Sequence, residues 1–149
     1  MDFAFTDEQR MIQETAQAFF TENATSERTR AAMAGDGMDT RLWTDFCQEL
    51  GLAGVALAED VGGVGLGMVE LAIIAEAAGA QVSAIPMLGH VMVTQALAAG
   101  GSDAQRERWI AALTGGEAIA AAALEDDVVA TCDTLSGTVR FVPHGALAH

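Results

Sequence analysis

Lysine and tyrosine are absent from this chain, and positive charge is scarce: seven arginines stand against 21 acidic residues, for a formal net charge of −14. A surface of that sign repels nucleic acid and anionic lipid, and no arginine cluster is dense enough to reverse it. A ligand carrying phosphates would have to draw most of its cationic contacts from another stretch of polypeptide. Aromatic residues make up only 5%. The two cysteines, Cys47 and Cys132, lie far apart and fit no metal-ligand spacing. Cys47 falls on the apolar side of a helical pattern and reads as a buried, reduced thiol. No basic stretch followed by an apolar core opens the chain, so no secretory signal is read. No apolar run approaches the ~20 residues needed to cross a bilayer. These absences predict a soluble, cytoplasmic protein that binds no nucleic acid, spans no membrane and holds no metal.

Small apolar residues fill the space that these absences leave. The chain is 51% hydrophobic with 16 glycines, and its alanine richness favours closely packed helices. Its 149 residues leave room for one domain and part of another. Thr6-Asp7-Glu8-Gln9 matches a capping box, and Met11, Ile12, Thr15, Ala16, Phe19 and Phe20 recur at helical spacing behind it, to about residue 22. A short helix is expected over 26–34, before Gly35-Asp36-Gly37 breaks the chain. Asp39 or Thr40 starts the next helix, with Leu42, Trp43, Phe46 and Leu50 on one stripe and Gly51 in a left-handed position after it. An apolar helix is expected from about Met68 to Ala78, and another from about Ser83 to Ala99 with Pro86 in its first turn. Ser102-Asp103-Ala104-Gln105 is a second capping box, opening a helix that carries Trp109, Ile110 and Leu113 and closes at Gly115-Gly116.

The pattern is mainly α: a helical bundle over residues 1–116. The character changes at Glu117. VVATC and TVRFV are β-branched and read as strands separated by a turn over 133–137. Residues 117–149 are therefore expected to begin a β domain that is incomplete by itself, because a few strands make no stable sheet domain.

The glycines of LGLAGVALAEDVGGVGLGMVE, residues 50–70, pose the main chemical question. Gly62, Gly63, Gly65 and Gly67 demand a shaped loop. A dinucleotide-binding reading fails on spacing, GGxGxG where GxGxxG is needed, and on context, since helices precede it and no βαβ repeat follows. His90 and His144 have no partner at metal-ligand spacing and read as packing residues. Adjacent Asp126 and Asp127 would point to opposite faces of a strand, so they form no shared-proton pair. No acid or base identifies itself.

The order of three blocks is more informative than any one motif. LGLAGVALAEDVGGVGLGMVELAIIAEAAG, then GGSDAQRERWIAALTGGEAIAAAALED, then LSGTVRFVPHGA follow one another at spacings that resemble the acyl-CoA dehydrogenase family over essentially the whole length. In that family the blocks look like LGLxGIxxPEExGGxGLsxxE, GTEEQKxxYLPxLxsGExxgAxALTEP and LNGxKxWITNG. The resemblance implies an N-terminal helical domain, a middle β domain and a C-terminal helical bundle, with FAD between the last two. A glutamate of the C-terminal part removes the α-proton of an acyl-CoA thioester, and hydride passes from the β-carbon to flavin to leave the enoyl-CoA. No residue of this chain corresponds to that base.

On this resemblance the ALTEP turn that touches flavin corresponds to Ala123–Asp127, so Leu124 and Glu125 are cofactor-binding candidates. The WIT segment beside the flavin ring corresponds to Phe141, Val142 and Pro143. Asp127 replaces a proline, and Pro143 has neither a hydroxyl nor an N–H to donate. By position Ile85, Leu88 and Met92 are candidates to face the acyl chain; plain helix–helix packing is the alternative for all three. IPMLGHVMV is similar to subunits of heteromeric acyl-CoA dehydrogenases that take bulky substrates, steroid side chains among them. The resemblance thus implies the N-terminal part of an FAD-dependent acyl-CoA dehydrogenase, without turnover as this chain alone. A non-catalytic structural subunit of a heteromeric dehydrogenase is the alternative. Acyl-CoA, an electron-transfer acceptor and further dehydrogenase subunits in a homo- or hetero-oligomer are the implied partners.

Overall fold

The computed structural model describes residues 4–124 and 128–149. Six α-helices run in chain order: α1 Asp7–Asn23, α2 Ser26–Ala34, α3 Thr40–Gln48, α4 Met68–Ala80, α5 Met87–Gly100 and α6 Asp103–Thr114. Two short strands follow, β1 Val128–Thr131 and β2 Thr134–Gly137, paired antiparallel. The architecture is mainly α with the start of a sheet. Among the described residues no helix is long and apolar enough to cross a membrane.

Both expected capping boxes form. Thr6 Oγ1 accepts from the Gln9 N–H at 3.1 Å while Gln9 Oε1 accepts from the Thr6 N–H at 3.1 Å, and Ser102 and Gln105 do the same at the start of α6. Each box satisfies two donors that a helix start leaves orphaned. Asp39 caps α3 by accepting from the Leu42 N–H at 2.9 Å, and it also receives a two-pronged bond from Arg28 at 2.7 and 2.8 Å. That fork fixes α2 against the start of α3.

α1 packs along α4, and the two are tied at one end by Gln9, which donates to Glu70 at 2.8 Å. The core beneath is an aromatic cluster. Phe20, Trp43 and Phe46 are almost fully buried, with ring centroids 5.8 Å apart for both the Phe20–Phe46 and Trp43–Phe46 pairs. Large rings at close range bring most of the apolar burial that holds such a bundle.

Two elements depart from the sequence expectation. α5 begins at Met87, not near Ser83. A residue before proline is pushed out of the α region by the ring, so Ile85 cannot be helical and Pro86 becomes the boundary; its carbonyl accepts the His90 N–H. The hairpin is also shifted. Residues 134–137, expected as turn, form β2, while the turn is Cys132-Asp133 with Cys132 at φ +52°. TVRFV forms no strand. A two-residue turn with positive φ suits the strand twist, and it fixes Thr131 opposite Thr134.

Candidate functional site

The glycine loop turns its N–H groups onto its own backbone. Gly62 is at φ +86° and Gly65 at φ +77°, which lets the backbone fold back on residues 54–59. The N–H groups of Gly62, Gly63, Val64, Gly65 and Leu66 are spent on the carbonyls of Glu59, Ala58, Gly54, Leu57 and Val55 in turn. The Gly67 N–H goes to Glu70 Oε2 at 2.8 Å. No donor from 62 to 67 is left for a phosphate, so the loop is a structural turn. Its close approach also demands glycine, because a Cβ on Gly63 would fall on the Leu57 carbonyl.

α5 is the element around which open apolar surface gathers. Its Gly89 meets the extended segment 118–124: a Cβ there would lie only 3.3 Å from the Ala122 nitrogen and 3.4 Å from the Ala120 oxygen. Further along α5 lies a hollow of about 590 Å³ bounded by Met92, Val93 and Ala96 and by Ala121–Leu124. An apolar groove of about 460 Å³ lies between α4 and α5, lined among others by Leu71, Ala78, Ile85 and Leu88.

The three candidate acyl-facing residues are thus divided. Ile85 and Leu88 share the α4–α5 groove, Ile85 nearly buried in the main core and Leu88 73% exposed at the mouth. Met92, half-buried, belongs to the second hollow with Leu124. Leu124 is exposed, and Glu125 lies outside the described residues, as do Asp126 and Asp127. Phe141 is 92% exposed at φ +56°, Val142 is half-buried and Pro143 exposed. None of these last three lines the hollow that holds Leu124 and Met92.

His90, on α5, is buried as a packing residue. Its ring meets Trp43 edge-on at 4.8 Å between centroids, and neither ring nitrogen has a hydrogen-bond partner. Burial pushes its pKa down to about 4, so the ring is neutral. Burial likewise pushes the Cys47 thiol up to about 12, which leaves it protonated and inert. Among the described residues no group of three or more His, Cys, Asp and Glu side chains is placed to hold a metal ion. The sequence reading missed Ser83 and Val82, which line the α4–α5 groove. Neither belongs to a motif, and only the helix end that they form brings them to notice.

The family model described as acyl-CoA dehydrogenase, N-terminal domain, matches residues 6–117. The chain belongs to the acyl-CoA dehydrogenase family. This is an FAD-dependent oxidoreductase family. The chain is similar to the acyl-CoA dehydrogenase IpdE2 of Mycobacterium tuberculosis, 34% identical over 129 residues that make up 85% of this chain and 40% of the relative. The IpdE2 of Mycolicibacterium smegmatis is 31% identical over 93 residues, 62% of this chain and 30% of that protein. The chain therefore spans well under half the length of the curated relatives it matches. Among solved structures, a variant of the Tcur3481–Tcur3483 steroid acyl-CoA dehydrogenase superposes with a TM-score of 0.85 at 31% identity, covering 95% of this chain and 43% of that one. The ChsE4–ChsE5 complex from Mycobacterium tuberculosis gives 0.85 at 26% identity, covering 99% and 43%.

Proposed function

We propose that this chain is the N-terminal part of an FAD-dependent acyl-CoA dehydrogenase that converts an acyl-CoA thioester to the enoyl-CoA. Residues 1–116 serve as its N-terminal helical domain and 117–149 open its middle β domain. One observation carries this reading: within a fold of that family, α5 lines two open apolar hollows, one shared with α4 and one with residues 121–124, where an acyl group could be walled in. Leu88 and Met92 face the acyl group, and Ile85 stiffens the wall from behind.

The cofactor-binding part of this proposal rests on Leu124, Glu125, Phe141, Val142 and Pro143. The exposed Phe141 ring and Leu124 side chain offer carbon surface to an isoalloxazine. Pro143 offers no donor, and Arg140 is the one cation between residues 118 and 149. A diphosphate needs cationic or N–H contacts, and this set does not supply enough of them. These residues do not make an FAD site by themselves. The remaining contacts, and the base that takes the α-proton, come from other polypeptide, so no chemical step is assigned to residues of this chain.

The purified 149-residue chain, given FAD, a panel of acyl-CoA thioesters and an artificial electron acceptor, is expected to show no turnover. Robust acceptor reduction would overturn the assignment of base and flavin contacts to other polypeptide. A second reading, a non-catalytic subunit that completes a partner dehydrogenase, is favoured by the hairpin, in which every residue of β1 and β2 is exposed. It draws support from similarity to structures that are themselves complexes of two such chains. Co-expression with a dehydrogenase subunit and size-exclusion chromatography separates the two: co-elution with restored flavin supports the subunit, and separate elution removes it.

A further inference from the structure

Two apolar clusters make up the helical body, and α5 is shared between them. Ile85, Met87 and Val91 pack on the main core with the aromatic cluster of α1 and α3. Val93 and Leu97 pack instead on a smaller core formed by Leu113, Ala118 and Ala120. α6 joins α5 in this second unit, and Arg106 donates to the Gly101 carbonyl at the end of α5 at 2.6 Å. A polar tie to the main body runs from the Gln95 side-chain amide to the Ala56 carbonyl at 2.9 Å.

His90 lies where the two units meet. It reaches Trp43 of the main core edge-on, and both side chains are at least 98% buried. Trp43 Nε1 and both His90 ring nitrogens lack a hydrogen-bond partner. Gly116, just beyond α6, closes the same junction: a Cβ there would lie 2.8 Å from Cys47 Cβ and 3.6 Å from Trp43 Nε1. A neutral imidazole is tolerated in this place. A charged one would bring two N–H donors with no acceptor and no counter-ion.

No charge on the neighbouring elements is placed to compensate. On α3, Arg41 and Asp45 pair with each other. On α6, Asp103 and Arg106 pair, while Glu107 and Arg108 are exposed. On α4, Glu70 accepts from Gln9 and Glu76 is exposed. α5 itself, the single turn Leu52–Gly54 and residues 118–124 carry no charged side chain, and the Cys47 thiol is protonated. Burial alone lowers the His90 pKa, to about 4.

We propose that His90 is an acid-sensitive joint: when its ring takes up a proton, α5 and α6 undock together from the main core while α1, α3 and α4 stay folded. The undocked ring is hydrated and binds its proton with the ordinary affinity of a histidine, near pH 6.5. Each pH unit below that value therefore favours the undocked form by up to about 10-fold, until the docked ring itself titrates. The main core keeps its own aromatic packing, so the opening is smaller than global unfolding. Because α5 lines both apolar hollows, their walls come apart with it.

Amide hydrogen exchange of the 149-residue chain at pH 7 and pH 5, corrected for intrinsic rates and repeated in low urea, tests this. Protection of α5 and α6 is expected to fall by about 20-fold between the two values, the ratio set by a pKa of 6.5 undocked and about 4 docked. At pH 5 these two helices should share one protection level at least ~10-fold below that of α1 and α4, with a weaker urea dependence. His90→Leu and His90→Met each fill the site without a titrating group. In whichever of them folds, the pH response of α5 and α6 is expected to shrink to less than about 2-fold. Equal protection and equal urea dependence of α5–α6 and α1–α4 at pH 5 overturn the proposal, because the opening is then global. A response that survives removal of the imidazole also overturns it, as does the absence of any fall in the wild type.

Discussion

Single residues in this chain are placed at some energetic disadvantage, and His90 shows it most directly. Its side chain is 1% exposed, and its two ring nitrogens and Trp43 Nε1 all lack partners. With the folded pKa pushed down to about 4, and an unfolded histidine titrating near 6.5, only the unfolded chain takes up this proton between those values. The contribution to stability is therefore fully present above about pH 6.5 and is lost as the pH falls towards 4, by about 3 kcal/mol in all. Urea unfolding at pH 7.5, 5.5 and 4.5 should show this slope, and His90→Leu should remove that share of it. At Val82 the expected change has the opposite sign. Val82→Gly, at φ +51°, should raise stability by about 1 kcal/mol, the relief of left-handed strain exceeding the entropy that glycine adds to the unfolded chain; the urea midpoint checks it. That His90 is a packing residue was legible from its isolation among apolar neighbours in sequence. The orphaned state of the buried Ser83 hydroxyl was not, because hydrogen-bond satisfaction is a property of three-dimensional neighbours.

At the scale of elements, caps and breaks were readable where they are local. The two boxes at Thr6 and Ser102, the cap at Asp39 and the left-handed Gly51 at φ +65° all form within a few residues of chain. α5 starts at Met87 and not near Ser83 because Pro86, though compatible with a first turn, forces Ile85 out of the α region. The hairpin register departs from the β-branched pattern because β-branching marks strand preference but does not locate a two-residue turn. The glycine loop yields a graded prediction. Gly63→Ala should destabilise the fold by about 3 kcal/mol or more, since its Cβ meets backbone that cannot yield. Gly62→Ala, at φ +86° with only an ordinary contact to Ile110 Cγ2 at 3.8 Å, should cost about 1 kcal/mol. Thermal denaturation of the two variants side by side tests the order. Asp39→Ala removes both the α3 cap and the fork from Arg28, and about 2–3 kcal/mol should go with them.

On the scale of the whole molecule, the helical body and the hairpin are unequal partners. The aromatic cluster and the α1–α4 pair sit in one core, whereas both strands are exposed along their whole length. Two strands without a covered face are marginal in water. Amides of residues 128–137 should therefore exchange with solvent at least ~100-fold faster than those of α1 and α4, measured by hydrogen exchange at neutral pH; equal protection would show that the hairpin is stable unaided. Capping patterns, apolar periodicity and the ordered blocks by themselves determined the helical class, five of the six helix starts to within a residue or two, and the family. All of these are written in residues near one another along the chain. Tertiary structure alone decided that the glycine loop spends its N–H groups on its own backbone, that Ile85 and Leu88 face a different hollow from Met92, and that Val82 and Ser83 meet at the groove. Those outcomes depend on which distant segments come within hydrogen-bond or van der Waals reach, and spacing along a sequence carries no such distances.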